Sequence, residues 1–482
     1  MSQITFGTDG WRAVIAEDFT FANVEKVAYA IGRYINETYH KNGNRVPVLV
    51  GYDTRFMADK FALRAAQVFI SMGIPAKLAD RDVPTPVIAY ATQTEPTAGA
   101  VQLTASHNPP EYCGMKYIPE YAGPATNEIT EKIVSHLTDL PYEIDVHSIE
   151  VPRFDPKAPY MKALKDMVDF ERIAKSGIKV GVECLYSTSR QYLDEVLRDN
   201  GIEYKVLHNW RDPLFGGGMP EPKAQYLTDL SKLVVDEKLD VGLATDGDAD
   251  RFAIIDEKGN YVSANQLLSL LTRHFLKNRG VSGCLVKTVA TTHFLDRLAK
   301  EHGLEIFETP VGFKYIGELM RQKDVLLGGE ESGGCSVKGH IPEKDGILCN
   351  LLIVEMLAYE KKPLSQIWAE LVAASGVEFA YRRRDLKLTA ESQKSFVDKL
   401  TNEPFEKIGN TKVTKVGRLD GFKYYLEDDS WILIRPSGTE PLVRLYFEAP
   451  SAVRVDQLKN DFDKMIDDML QGMGAKVLAL HA

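Results

Sequence analysis

One pattern recurs three times along the chain and limits its fold more than any other feature. The apolar run Val46 to Val50 leads through a polar loop into a helix of about Ala58 to Ser71, which stops at Gly73 before Ile74 opens another strand. Ile178 to Val182, a helix of about Ser189 to Arg198, and Gly201-Ile202 repeat it. Cys284 to Val289, the link Ala290-Thr291-Thr292, a helix to about Lys300, and Gly303-Leu304 repeat it again. In each repeat the glycine sits where a helix end needs a left-handed residue. Strands alternating with helices predict an α/β protein, and the repetition predicts three similar mixed α/β domains.

The remaining punctuation divides the chain further. Ile144 to Pro159 is proline-bearing and aperiodic and reads as a linker. A turn at Glu257-Lys258-Gly259-Asn260 and a boundary near Gly376 to Arg382 give four expected domains, 1–150, 151–260, 261–378 and 379–482. The last differs in character. Leu386 to Leu388, Val413 to Val416, Gly421 to Leu426, Trp431 to Pro436 and Val443 to Ala449 read as short strands before a closing helix of about Val453 to Met469. It is expected to be a smaller α+β domain.

Length and charge narrow the function. A chain of 482 residues with 44% hydrophobic and 26% charged residues has ample material for several cores. Its net charge of -10 argues against a nucleic-acid or membrane-surface protein. No apolar run approaches the roughly 20 residues of a membrane span, and the N-terminus has no signal-peptide pattern. Cys113, Cys184, Cys284, Cys335 and Cys349 are scattered, without CxxC spacing, which favours reduced thiols in a cytoplasm. The expected partner is a small molecule, with the protein a monomer or small homo-oligomer.

Four polar loops carry the chemistry. Thr104-Ala105-Ser106-His107-Asn108-Pro109-Pro110 leaves an apolar run, Ala98 to Leu103, and sets a serine beside a histidine against a rigid turn. Thr245-Asp246-Gly247-Asp248-Ala249-Asp250-Arg251 follows the strand Val241 to Ala244. Three alternate aspartates suit a hard divalent cation shared with a phosphate. A solvated acidic turn is the plainer reading. An EF-hand is excluded, because its sixth position holds Arg251 rather than glycine and Phe252 to Ile255 continues as a strand. Gly328-Gly329-Glu330-Glu331-Ser332-Gly333-Gly334 suits either a flexible hairpin or a clamp on sugar hydroxyls. Arg435-Pro436-Ser437-Gly438-Thr439-Glu440-Pro441 offers guanidinium, hydroxyls and glycine-turn amides to an anion, without the ending of a Walker loop, or is a simple turn.

Together, in this order, the four loops resemble the α-D-phosphohexomutase family, as does the opening Phe6-Gly7-Thr8-Asp9-Gly10-Trp11-Arg12. The resemblance covers nearly the whole chain and implies four domains around a central cleft. It implies that Ser106 carries the transferable phosphate and that Asp246, Asp248 and Asp250 hold Mg²⁺ together with an oxygen of that phosphoserine. Arg12 and Arg251 would neutralise the phosphoryl group, and Glu330 and Ser332 would bind sugar hydroxyls. Arg435, Ser437, Gly438 and Thr439 would clamp the substrate's existing phosphate. Lys116 matches a family lysine near the phosphoserine, and His107 is a neighbouring candidate for proton transfer or loop orientation.

The sugar loop departs from the GEMSGH of dual phosphomannomutase/phosphoglucomutases, with Glu331 for the methionine and Gly334 for the histidine. It is similar instead to the GEES-type loop of phosphoglucomutases, followed by His340-Ile341-Pro342-Glu343-Lys344-Asp345-Gly346, in which Lys344 is a second candidate acid/base. Pro310-Val311-Gly312-Phe313-Lys314 resembles a sugar-contact loop, with Val311 where a threonine is usual. The resemblance implies a Mg²⁺-dependent phosphoglucomutase working through glucose 1,6-bisphosphate. Its nearest rival is a phosphomannomutase or dual enzyme. Phosphopentomutase and the amino-sugar mutases, the latter usually with a GEQSGH-like loop, stand further off, and a phosphosugar phosphatase and a non-catalytic phosphosugar sensor are the rivals of other classes.

Overall fold

Short apolar runs bounded by glycine and polar loops form buried strands, and the amphipathic stretches between them cover the sheet faces. The computed structural model describes residues 4–7, 9–40, 45–145, 148–437, 442–473 and 477–478. The first segment runs β1 (Phe6–Gly7), β2 (Gly10–Val14), α1 (Phe21–Thr38), β3 (Val48–Tyr52), α2 (Ala58–Ser71), β4 (Ala76–Ala79), α3 (Thr85–Ala91), β5 (Ala100–Leu103), β6 (Tyr112–Ile118), α4 (Asn127–Ser135) and β7 (Arg153–Phe154). Its seven strands form one sheet in the order β1-β2-β6-β5-β3-β4-β7. Thr20 starts α1 by accepting the Asn23 N–H on its side-chain oxygen. Val27 and Ile31 of α1 and Phe61, Ala65 and Phe69 of α2 share a core with Val48, Val50, Val101 and Leu103. Each large side chain buried there contributes about 1.5–3 kcal/mol.

The stretch read as a linker is not wholly irregular, since β7 pairs in parallel with β4. A two-residue strand is too short to leave any periodicity in the sequence.

The next segment comprises α5 (Lys157–Met167), α6 (Phe170–Ser176), β8 (Lys179–Glu183), α7 (Leu193–Asp199), β9 (Glu203–Leu207), α8 (Thr228–Asp236), β10 (Val241–Thr245), β11 (Phe252–Ile255) and β12 (Tyr261–Val262). The sheet order is β12-β11-β10-β8-β9. The helix expected from Ser189 begins only at Leu193, because the preceding turn puts Gln191 at φ 63°.

The third contains α9 (Ala264–Arg273), β13 (Cys284–Thr288), α10 (Phe294–His302), β14 (Ile306–Thr309), α11 (Phe313–Gln322), β15 (Val325–Gly329), β16 (Cys335–Val337), α12 (Gly346–Glu360) and α13 (Leu364–Ser375). The glycines expected to end the repeated helices, Gly73, Gly201 and Gly303, all have φ near 70°, at 74°, 69° and 66°.

The first two segments share a wiring. In one, β3 is flanked in parallel by β4 and β5, and β5 turns back antiparallel into β6. In the other, β8 is flanked in parallel by β9 and β10, and β10 turns back into β11. The serine loop joins β5 to β6, and the aspartate loop joins β10 to β11. The glutamate loop occupies the corresponding hairpin between antiparallel β15 and β16. Repetition of one topology therefore presents three different chemistries at equivalent hairpins.

The C-terminal segment has β17 (Ala380–Leu388), α14 (Ala390–Asn402), β18 (Lys407–Ile408), β19 (Thr411–Gly417), β20 (Phe422–Leu426), β21 (Trp431–Pro436), β22 (Leu442–Ala449), α15 (Ala452–Gly472) and β23 (Val477–Leu478). The sheet order is β18-β19-β20-β21-β22-β17-β23. Phe396 and Leu400 of α14 and Val455, Leu458, Phe462 and Ile466 of α15 share a core with Leu388, Tyr424, Ile434, Leu445 and Phe447 of the sheet. By compactness the chain divides into two units, Met1–Leu285 with Gly312–Trp368, and Val286–Val311 with Ala369–Ala482.

Candidate active site

In the first unit the serine and aspartate loops meet. Ser106 stands at φ 50°, a left-handed conformation that costs a non-glycine residue energy and is held by its surroundings. It is 1% exposed, and its Oγ donates to Asp246 Oδ2 at 2.7 Å. His107 Nδ1 lies 3.3 Å from the same oxygen. The loops approach so closely that a β-carbon on Gly247 would stand 2.4 Å from the Ser106 carbonyl oxygen. Glycine is required there by contact.

Asp246, Asp248 and Asp250 are buried, each with an oxygen within 4.8 Å of the others. Asp246 Oδ1 accepts the Arg251 N–H, and Asp248 Oδ2 accepts the Thr85 hydroxyl at 2.6 Å. Asp248 Oδ1 and Asp250 Oδ1 are buried without a hydrogen-bond partner. Three buried carboxylates with oxygens this close, two of them keeping an unpartnered oxygen, suit a hard divalent cation, so the residues fit such an ion. Burial and the neighbouring Asp250 and Asp248 carboxylates push the Asp246 pKa well above the ordinary range.

Two lysines face this cluster. Lys116 Nζ lies 2.9 Å from Asp248, 2.9 Å from Asp9 and 3.2 Å from Asp250. Lys344 Nζ lies 2.9 Å from Asp250. Burial alone would lower both lysine pKa values, but the surrounding aspartates raise them, so both are ammonium ions. The same contacts outweigh burial at Asp250 and hold its carboxyl below the ordinary range. His107 goes the other way. Burial and the nearby Arg251 and Arg12 push its pKa well below normal, leaving a neutral ring.

The glutamate loop closes against the aspartate loop. Phe252 N–H donates to Gly333 O, and Arg251 bridges Gly334. Glu330 Oε1 accepts the Gly312 N–H at 3.1 Å, and burial raises its pKa to about 7. Acidic, basic and hydroxyl groups around a cation-ready cluster suit phosphoryl transfer, which depends on alignment and charge neutralisation.

Comparison with known proteins decides the family. The chain matches the models of phosphoglucomutase/phosphomannomutase α/β/α domain I over residues 3–142, domain II over 158–259 and domain III over 263–374. The model of the C-terminal domain matches residues 387–465. A phosphoglucomutase/phosphomannomutase of Thermococcus kodakarensis is 30% identical over 475 residues, covering 97% of this chain and 99% of the relative. The chain belongs to the α-D-phosphohexomutase family.

A phosphoglucosamine mutase of Carboxydothermus hydrogenoformans is also 30% identical, covering 96% of this chain and 99% of the relative. Among solved structures, a Thermus thermophilus protein described as a candidate phosphomannomutase superposes with a TM-score of 0.85. It is 33% identical, covering 97% of this chain and 99% of that one. This phosphohexomutase therefore has the family's four-domain architecture and is an isomerase-class enzyme of carbohydrate metabolism.

The structure of the phosphohexomutase brings Ser106, His107, Lys116, Asp246, Asp248, Asp250, Arg251, Gly312, Glu330 and Lys344 into the first unit. Arg12 joins them, with Nη1 donating to Asn108 Oδ1 at 2.7 Å, and Ser332 is exposed. Arg435 and Ser437 belong to the second unit, where Asp420 accepts from Arg435 Nε at 2.7 Å and from the Val311 N–H at 2.9 Å. Gly438 and Thr439 lie outside the described residues.

Sequence reasoning missed Asp9, which lies 3.6 Å from Lys344 as well as binding Lys116, and Thr85, which holds Asp248. Asp9 sat within a quoted motif, but its lysine partners lie far along the chain. Thr85 carried no signal.

Proposed function

We propose that this enzyme is a phosphoglucomutase that interconverts α-D-glucose 1-phosphate and glucose 6-phosphate through a phosphoserine at Ser106 and a glucose 1,6-bisphosphate intermediate. The observation that carries the reading is the 2.7 Å contact of Ser106 Oγ with Asp246, inside an aspartate triad that two lysines flank. Asp246, Asp248 and Asp250, with an oxygen of the phosphoserine, would hold Mg²⁺, which neutralises charge on phosphoryl oxygens when bound.

Transfer breaks the bond between Ser106 Oγ and phosphorus and forms one from phosphorus to the free sugar hydroxyl. Oγ must gain a proton and the hydroxyl must lose one. Lys116 and Lys344, held as ammonium ions, suit the neutralisation of phosphoryl charge, and they remain candidates for the proton exchange by their place beside the triad. Neutral His107, beside Oγ, suits orientation of the nucleophile or acceptance of a proton. Arg12 and Arg251 would contact the phosphoryl group, and Glu330, Ser332 and Gly312 the sugar. Arg435, Ser437, Gly438 and Thr439 would hold the phosphate that is not being transferred. The bisphosphate then turns over and returns its other phosphate to Ser106.

The preference for glucose rests on the sugar loop. Gly334 replaces the histidine of dual enzymes, and a β-carbon there would stand 2.5 Å from Lys344 Cδ. Lys344 thus occupies the space beside that position. We assign the four chemical loops to domains of residues 1–150, 151–260, 261–378 and 379–482. The five cysteines are buried and none is joined in a disulfide, which supports a reducing, cytoplasmic setting. Near-complete burial of Ser106 argues against a phosphatase, which needs water at the phosphoserine.

The test is Mg²⁺-dependent conversion of glucose 1-phosphate, primed with glucose 1,6-bisphosphate, alongside mannose 1-phosphate, glucosamine 1-phosphate and Ser106→Ala. Turnover should favour glucose and vanish in the variant. Equal turnover of mannose would make the enzyme dual, the reading favoured by the name of the Thermococcus relative. Turnover of none of the sugars, with free phosphate released or binding alone, would sink the assignment.

A further inference from the structure

Directly after β3, Asp53-Thr54-Arg55 leads toward α2, and Arg55 is fully buried. A guanidinium has five N–H donors in a fixed plane. Here each finds an acceptor. Nε donates to Asp53 Oδ2 at 3.0 Å, and Nη1 donates to the carbonyls of Pro109 at 2.6 Å and Tyr112 at 2.9 Å. Nη2 donates to the carbonyls of Ser106 and Asn108, both at 2.7 Å. Four of the five bonds therefore end on main-chain oxygens, three in the serine loop and one on Tyr112, the first residue of β6.

The same carboxylate reaches the serine by a second route. Asp53 Oδ2 accepts the Thr104 hydroxyl at 2.6 Å, and Thr104 Oγ1 accepts the Ser106 N–H at 2.9 Å. Both the N–H and the carbonyl of Ser106 are thus fixed by the Asp53–Arg55 pair. Its carbonyl is also the atom against which Gly247 of the aspartate loop packs.

We infer that Arg55 is a positioning residue for phosphoryl transfer: its guanidinium holds the serine loop so that left-handed Ser106 presents Oγ to the aspartate triad. The inference rests on the mutase reading of Ser106. Arg55 acts through the loop's main chain. Lysine keeps the charge but has three donors on a tetrahedral nitrogen and cannot serve a planar set of five acceptors.

The decisive variant is Arg55→Lys, assayed with glucose 1-phosphate and the bisphosphate primer once near-UV circular dichroism shows it folded. Misplacing reacting atoms by about 1 Å costs on the order of 100-fold in rate, so kcat should fall about that much. KM, and the Kd of the unphosphorylated enzyme for Mn²⁺ read by electron paramagnetic resonance, should stay within about threefold, because without the phosphate the ion would rest on the aspartates. Phosphorylation of Ser106 by the bisphosphate should slow by the same factor as kcat. A kcat within about fivefold of wild type overturns the inference, as does a matching loss of Mn²⁺ affinity, which would mean general collapse of the site.

Thr104→Val, which cuts only the second route, should lower kcat about tenfold with the same unchanged KM and Kd. It decides the matter should Arg55→Lys fail to fold, and an unchanged kcat in Thr104→Val overturns the inference. Wild-type enzyme that neither turns over glucose 1-phosphate nor takes phosphate on Ser106 brings down the mutase reading and this inference with it. Active wild type with an equally active Arg55→Lys brings down the inference alone.

Discussion

Gly334 and Lys344 divide one space between them, and that makes their roles separable. A methyl group at Gly334 would stand 2.5 Å from Lys344 Cδ and 3.1 Å from Glu330 Oε2. The lysine chain must then swing away, and Lys344 Nζ gives up its 2.9 Å contact with Asp250. If Lys344 donates a proton or neutralises phosphoryl charge, Lys344→Met should lower kcat about 100-fold and Gly334→Ala about tenfold. The double variant should be no slower than Lys344→Met alone, because both changes remove one interaction. Effects that multiply in the double variant would assign Gly334 a role of its own and refute the shared-space account.

At this scale the sequence is legible where chemistry is concentrated in a few neighbouring residues. Asp246, Asp248 and Asp250 lie on one short loop, so their convergence can be read from spacing and Gly247. Ser106 and Lys344 could be picked out as reactive side chains in glycine- or proline-bearing loops. The site's support could not. Asp9 meets Lys116, Thr85 meets Asp248, and Arg55 meets Pro109, across 107, 163 and 54 positions of chain. No local pattern encodes such contacts.

Among the elements, α12 shows the opposite limit on reading. Its sequence, GILCNLLIVEMLAYE, is apolar on every side, so it carries no helical periodicity to mark an exposed face. The strands of β8, β10 and β21 are apolar runs that sequence and structure both delimit within a residue or two. Burial all round is why α12 depends on its polar exceptions. Glu355 is 1% exposed on its side chain and receives Arg279 Nε at 2.7 Å, the Asp169 N–H at 3.0 Å and His274 Nε2 at 3.2 Å.

Burial alone would raise the Glu355 pKa, but His274 and Arg279 overcome it and hold the carboxyl at about 2 against an ordinary 4.5. A carboxyl with a depressed folded-state pKa stabilises the protein above its unfolded pKa and loses that contribution as pH falls toward the folded value. The difference is worth about 3 kcal/mol above pH 5 or so. Glu355→Gln should therefore reduce hydrogen-exchange protection of the α12 amides by about that amount at pH 7, and by progressively less from about pH 4.5 to pH 2. A gap between variant and wild type that is the same at pH 3 and pH 7 would show that charge is not what Glu355 contributes.

For the molecule as a whole, repetition made three α/β domains legible, while the last domain announced itself by a change of grammar, from strand–helix alternation to successive short strands. That last segment also encloses its own core. The cluster built around Phe396, Tyr424, Leu445, Phe447 and Phe462 draws every buried member from Leu386 to Leu470. A core that needs no residue from elsewhere is the physical requirement for independent folding. The other sheet face differs. Trp431, Leu433 and Tyr446 pack with Val289 and Ala290, residues outside that segment.

A fragment of residues 379–482 should therefore unfold cooperatively but present an uncovered apolar patch. Trp431 is the fragment's one tryptophan, and it is fully buried in the intact chain. Its emission should be red-shifted relative to Trp431 observed in full-length protein whose other tryptophans are replaced by phenylalanine, and the fragment should self-associate with rising concentration. Replacing Leu433 by lysine should suppress association without shifting the midpoint of urea unfolding by more than a few tenths of a molar, since the residue lies off the enclosed core. A fragment with no cooperative transition would mean that Val289 and Ala290 are part of the core this domain needs, and that the C-terminal segment folds only against its neighbour in sequence.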